Sequence, residues 1–202
     1  MNRAQLITRI VKPVLFAALL LPALALGVID LGANPVETIT HHTGDWALRL
    51  LLVTLAITPL RRLTGWGELI RLRRMLGLYA FFYSVLHVAT YFVLDLGLDL
   101  GGVVDDVIKR PYITVGFSVF LMLLPLAATS SNAMVQRLGR RWQTLHKLVY
   151  PAAIGAVLHF FWLVKADLSR PLIYALVLLV LFALRLKPIT LSLQRRRCNE
   201  ST

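Results

Sequence analysis

"MLGLYAFFYSVLHVATYFVL", residues 75–94, runs for twenty positions without a charged side chain and carries one histidine, His87. A helix of that length covers about 30 Å, the thickness of a bilayer's hydrocarbon core. Arg73 and Arg74 stand before it and Asp95 follows it. The apolar residues form one block instead of the stripe of an amphipathic surface helix. The stretch reads as a membrane-crossing helix.

Working outward, five further apolar blocks lie at about 13–30, 45–60, 111–128, 147–164 and 171–186. Together with 75–94 they predict an all-α fold: a polytopic membrane bundle of six transmembrane helices, one domain over residues 1–202. The block at 45–60 is short and carries Arg49 near its start, with Thr43 or Asp45 expected to cap its first turn. Pro111 and Pro171 sit where helices begin, a position that tolerates proline. Gly32, Pro35, Gly65, Gly67, Gly101 and Gly102 punctuate the connections. No internal repeat stands out. The composition agrees, with 16% charged residues against about a quarter in soluble domains.

Seventeen of the 22 Lys and Arg residues lie in the amino terminus, the 61–74 and 129–147 connections and the tail from 185. Eight of the ten acidic residues lie in the alternate connections, including Asp95, Asp99, Asp105 and Asp106. Basic connections stay in the cytoplasm. Both termini are therefore expected there, in a bacterial inner membrane with the acidic connections in the periplasm. A net charge of +12 would suggest nucleic acid in a soluble protein; this distribution assigns it to topology. Residues 1–27 resemble a signal peptide, with a basic start, an apolar core and Ala23-x-Ala25. Because five spans follow, they are read as an uncleaved first helix. The single cysteine, Cys198, excludes an intrachain disulfide and a CxxC pair.

His87 lies thirteen residues, about 20 Å, from Arg74, and His159 lies twelve residues, about 18 Å, from Lys147. On two helices running the same way, both histidines reach one depth, nearer the periplasm. A lone intramembrane histidine often only hydrogen-bonds a neighbouring helix. Two at matched depth, with no carboxylate inside the spans, suit a metal better than a proton relay, which would use acidic partners. Haem iron takes one axial ligand from each side, so His87 and His159 are candidates for its paired ligands.

The remaining polar residues leave alternatives open. His146 is either a solvated interfacial residue beside Arg141 and Lys147 or a ligand to a second haem on the cytoplasmic side. An ideal helix would turn it about 220° from His159, and Pro151 between them is expected to alter that phase. Arg73 stands fourteen residues before His87, on nearly the same face. Arg73 and Arg74 are either topology-setting charges or contacts for haem propionates or a flavin phosphate. His41 and His42 are adjacent, so at most one can face a given iron; His41 is either a helix-start residue or a redox-site contact. Trp142 and Trp162 fit aromatic belts at the two interfaces.

The stretches "NPVETITHHTGDWALR" (34–49), "IRLRRMLGLYAFFYSVLHVATY" (70–91) and "TSSNAMVQRLGRRWQTLHKLVY" (129–150) resemble the MsrQ (YedZ) family. Its members are haem-binding membrane subunits of bacterial methionine sulfoxide reductase systems, within the ferric reductase-like transmembrane superfamily. The resemblance runs from about residue 30 to 186. It implies b-type haem, one group at His87 and His159 and a second involving His146, with FMN also associated with the family. It further implies electron delivery, from respiratory quinone or a cytosolic flavin reductase, to a periplasmic MsrP-like molybdoenzyme that reduces methionine sulfoxide in oxidised proteins. The chain is then an electron-transfer subunit and not the catalytic reductase. About sixteen residues follow the last block, without GxGxxG, so a nicotinamide-binding unit is not expected and electrons must come from elsewhere. The competing readings are a transmembrane ferric or cupric reductase and a haem-free proton or metal transporter.

Overall fold

The computed structural model describes residues 3–164 and 167–200. The described residues form helices and connections, with no strand among them. Helix α1 spans Ala4–Ala25 and includes a π turn at Ile7–Val11. Next come α2 (Pro35–Thr64) and α3 (Ile70–Thr90), the latter prolonged by a π turn, Tyr91–Asp95. Helix α4 (Leu100–Lys109) is short and leads into α5 (Pro111–Ala128). Two small helices, α6 (Asn132–Leu138) and α7 (Arg140–Leu145), precede a 3-10 turn at His146–Leu148. The chain ends in α8 (Val149–Leu163) and α9 (Ser169–Glu200).

Four of these segments are long and apolar enough to cross a membrane: Ala4–Ala25, Pro35–Thr64, Gly67–Asp95 and Pro111–Ala128. Their outward surfaces carry large exposed side chains such as Leu21, Leu24, Val53 and Leu121. In water such a surface would be costly; in lipid it is ordinary. The fifth expected block is a helix of 15 residues, about 22 Å long, and the sixth begins at Ser169.

The expected start of the 45–60 block is corrected. Helix α2 begins ten residues earlier, at Pro35, where Asn34 accepts a hydrogen bond from the Glu37 amide at 3.3 Å. Asparagine before a first-position proline is a strong start signal, and it outweighs the polarity of residues 36–45. Thr43 caps nothing: it is buried inside the helix and donates to the Ile39 carbonyl at 2.8 Å. The helix ends at Gly65, whose φ of 69° favours glycine.

Pro151 kinks nothing either. It lies in the first turn of α8, where a missing N–H costs no hydrogen bond. A 3-10 turn, His146–Leu148, lies directly ahead of that helix.

Helices α2 and α3 pack along each other, as do α5 and α8, and these are the two most extensive pairings. Leu48, Leu51, Leu55, Leu76, Tyr79 and Tyr83 fill the first pair. Ala152, Ala153 and Gly155 let α8 approach α5 closely. Phe81 and Phe120 stack between the pairs, 6.0 Å between centres at 10°.

Helix α1 is held by hydroxyl groups. Pro22 lies inside α1. Beside it, the Tyr83 hydroxyl donates to the Leu19 carbonyl at 2.7 Å and accepts from the Ala23 amide at 3.1 Å. It thereby joins two groups that a regular helix would pair directly. Tyr79 donates to Phe16 O at 2.8 Å one turn away, and His42 Nε2 donates to Pro22 O at 2.9 Å. His42 is therefore engaged with α1.

Candidate functional site

His87 on α3 and His159 on α8 face each other across the two helix pairs. Their ring centres are 6.1 Å apart and their planes lie 79° from parallel. His87 Nδ1 lies 2.9 Å from Thr40 O, and His159 Nδ1 lies 2.7 Å from Tyr112 O. A carbonyl only accepts, so in each ring Nδ1 carries the proton and Nε2 keeps its lone pair. Neither Nε2 hydrogen-bonds another described residue.

Both imidazoles lie against a glycine. A Cβ on Gly44 would stand 3.0 Å from His87 Nδ1 and Cε1. One on Gly116 would stand 2.8 Å from the same atoms of His159. The accepting carbonyl belongs in each case to the residue four positions before the glycine, and the histidine follows that residue by 47 positions. A single offset of 72 residues relates Thr40 to Tyr112, Gly44 to Gly116, and Val85-Leu86-His87 to Val157-Leu158-His159. The two helix pairs thus repeat one local design, contrary to the sequence expectation of no repeat.

The histidines open on a cavity of about 490 Å³, within the usual size of a cofactor pocket. Its walls are mainly apolar, with Leu51, Phe117, Phe120, Leu123 and Leu163 among them. Charged groups, Asp45, Asp95, Arg110, Asp167 and Arg170, also line it, together with His41. Arg110 pairs with Asp106 at 3.2 Å, which keeps its guanidinium more firmly protonated than usual. The Ser169 hydroxyl and amide hold Asp167 below the ordinary carboxylate range.

The two rings stand 6.1 Å apart between centres, a separation at which one metal ion would be within reach of a nitrogen of each. Two free Nε2 lone pairs in an apolar slot are also the correct donor set, because only neutral imidazole binds metal.

Of the other candidates, His41 lines the cavity and the rest lie elsewhere. His146 does not line the cavity. Its ring stacks on Trp142, centres 3.9 Å apart at 26°, and its Nε2 lies 3.1 Å from Thr129 Oγ1. That hydroxyl donates to Pro125 O at 2.6 Å, so it accepts from His146. Trp142 also donates to Thr129 O at 2.9 Å, so it braces this histidine in addition to any belt position. Arg74 donates to Asn132 Oδ1 at 2.8 Å. Arg73 is half-buried, and Arg185 donates to Tyr150 Oη at 2.6 Å and to Leu55 O at 2.5 Å. No carboxylate pairs with these arginines among the described residues.

Sequence reasoning missed Thr40, Gly44, Tyr112, Gly116, Arg110 and Arg170 as site residues. The signal for the glycines was available, since each precedes a Val-Leu-His by the same interval.

A histidine-lined slot between four helices defines the class: a membrane-embedded cofactor-binding bundle. Residues 43–157 match the ferric reductase like transmembrane component model, a stretch that includes His87 and His146 and stops two positions before His159. A protein-methionine-sulfoxide reductase heme-binding subunit MsrQ from Herminiimonas arsenicoxydans is 53% identical over 183 residues, 87% of this chain and 84% of the relative. The MsrQ subunit of Xanthomonas axonopodis pv. citri is 57% identical over 155 residues, 77% and 71% of the two chains. That of Xanthomonas euvesicatoria pv. vesicatoria is 54% identical over 172 residues, 85% and 78%. No solved structure matches. The chain belongs to the ferric reductase-like transmembrane family and, within it, to the MsrQ heme-binding subunits.

Proposed function

We propose that this chain is a b-type haem electron-transfer subunit of the bacterial inner membrane. It crosses six times with both termini in the cytoplasm, as a single domain over residues 1–202. Exposed Leu172, Leu176 and Leu179 on α9, and α8 together with its preceding 3-10 turn, support the last two crossings. Electrons enter from the quinone pool or a cytosolic flavin donor and leave to a periplasmic molybdoenzyme of the MsrP kind, which reduces methionine sulfoxide. The observation that carries this reading is the His87–His159 pair, 6.1 Å between ring centres, with neither Nε2 hydrogen-bonded to another described residue.

Haem iron held there supplies one-electron chemistry. The chain's own residues do the rest. The carbonyls of Thr40 and Tyr112 each hold the Nδ1 proton, which fixes the tautomer and makes the imidazole a stronger donor. Leu51, Phe117 and Phe120 exclude water. Arg110 and Arg170 offer positive charge to propionate carboxylates, with His41 beside them as a further contact. A second haem at His146 requires that ring to present Nδ1 or release Thr129, with Arg73 and Arg74 as propionate contacts. An FMN phosphate would use the same two arginines.

An absorption spectrum tests the reading. The purified protein should show a reducible low-spin b-type signal that His87→Ala and His159→Ala each abolish. Retention of that signal in both variants would overturn the ligand assignment. Absence of haem from the wild type would overturn the function.

A further inference from the structure

We propose that Gly44 and Gly116 are positioning residues that set the orientation and donor strength of the two haem-ligand imidazoles. The inference rests on the haem reading above and goes beyond it, because it assigns the ligand geometry to two residues that have no side-chain donor of their own.

A helical carbonyl already accepts the amide proton four residues on, and its second lone pair is free. The side chain of that later residue normally crowds the approach. At positions 44 and 116 there is no side chain, so the imidazole edge slides over the glycine and reaches the carbonyl of Thr40 or Tyr112. One atom decides this. A Cβ at 3.0 Å from His87 or 2.8 Å from His159 lies well inside carbon contact distance, so the ring must move. Moving it stretches the Nδ1–H···O=C bond and rotates the ring plane.

Two other glycines separate this role from packing. Gly77 sits in the α2–α3 contact, and a Cβ there would meet Thr54 Cγ2 at an ordinary 3.6 Å. Gly155 sits in the α5–α8 contact, and a Cβ there would stand 2.6 Å from Val119 Cγ2, touching no histidine. Gly155 is therefore a close-packing glycine on the same helix as His159, with a severe clash of its own.

The full-length haem-loaded protein is purified as wild type, G44A, G116A, G77A and G155A. Each is measured for haem content, low-spin ferric EPR and midpoint potential. The EPR g-values report the mutual orientation of the two ligand planes. A weaker Nδ1–H bond makes a weaker donor that stabilises ferric iron less, so the potential should rise. G116A and G44A should both shift the largest g-value and raise the potential, G116A more because its contact is tighter. G77A and G155A should keep wild-type g-values and potential in whatever fraction folds. Wild-type g-values in G116A, or an equal shift in G155A, would overturn the positioning role while leaving the haem reading intact. A wild-type protein without low-spin haem would remove the reading itself. If G116A yields no folded protein, G44A, whose contact is milder, decides between the same two outcomes.

Discussion

The His146 and Trp142 rings lie face to face, 3.9 Å between centres and 26° from parallel. Thr129 ties both, accepting from the imidazole and presenting its carbonyl to the indole N–H. This arrangement is complete without the His87–His159 cavity. His146→Ala should therefore leave the haem signal of that pair unchanged, with any loss confined to a second, separate component. A spectrum resolved by redox titration checks this.

Thr129→Val removes the acceptor of a partly buried N–H and should cost about 1 kcal/mol. For a chain of this size that is a fall in Tm of roughly 2–4 °C, measured in detergent.

Tyr83 makes a stronger structural claim. Its side chain is fully buried and its hydroxyl serves both Leu19 O and Ala23 N. Tyr83→Phe leaves both groups without that partner and should destabilise the protein by about 1–3 kcal/mol. By contrast, the Lys109–Asp105 pair has both partners mostly exposed, and Asp105→Ala should change Tm by less than the scatter of the measurement.

His42 and His87 should separate cleanly. His42→Ala loses a contact to Pro22 O and should lower thermal stability while retaining full haem content. His87→Ala should empty the site. Haem per protein, measured alongside Tm, distinguishes the two.

Topology is open to a chemical test. In a Cys198→Ser background, Asp105→Cys should react with a membrane-impermeant maleimide from the periplasm. Arg137→Cys should react only after the inner membrane is opened. The reverse pattern would invert the proposed orientation.

Much of this fold is legible in the sequence because a bilayer imposes length and polarity on each crossing. The block at 111–128 matches α5 in both limits, since Pro111 starts it and a polar turn stops it. The block at 45–60 does not, because the ten residues of α2 that precede it are mostly polar and only Asn34-Pro35 announces the helix. His87 and His159 could be paired by depth alone, as residue counts convert directly to height along a helix. Their carbonyl partners could not. Backbone acceptors leave no mark in residue type, and Thr40 and Tyr112 share no side-chain chemistry. The partial burial of Arg73 was equally hidden, since a basic residue at a helix end reads the same whether it faces water or a neighbour.

The 72-residue correspondence between the helix pairs bears on biogenesis. Helices α2 and α3 leave the ribosome well before α5 and α8, so each pair can insert as an independent hairpin carrying one imidazole already clamped to its own helix partner. Neither hairpin alone presents opposed donors. On the proposed function, cofactor capture would require that both halves have arrived and docked, and a chain interrupted between them should enter the membrane yet remain colourless.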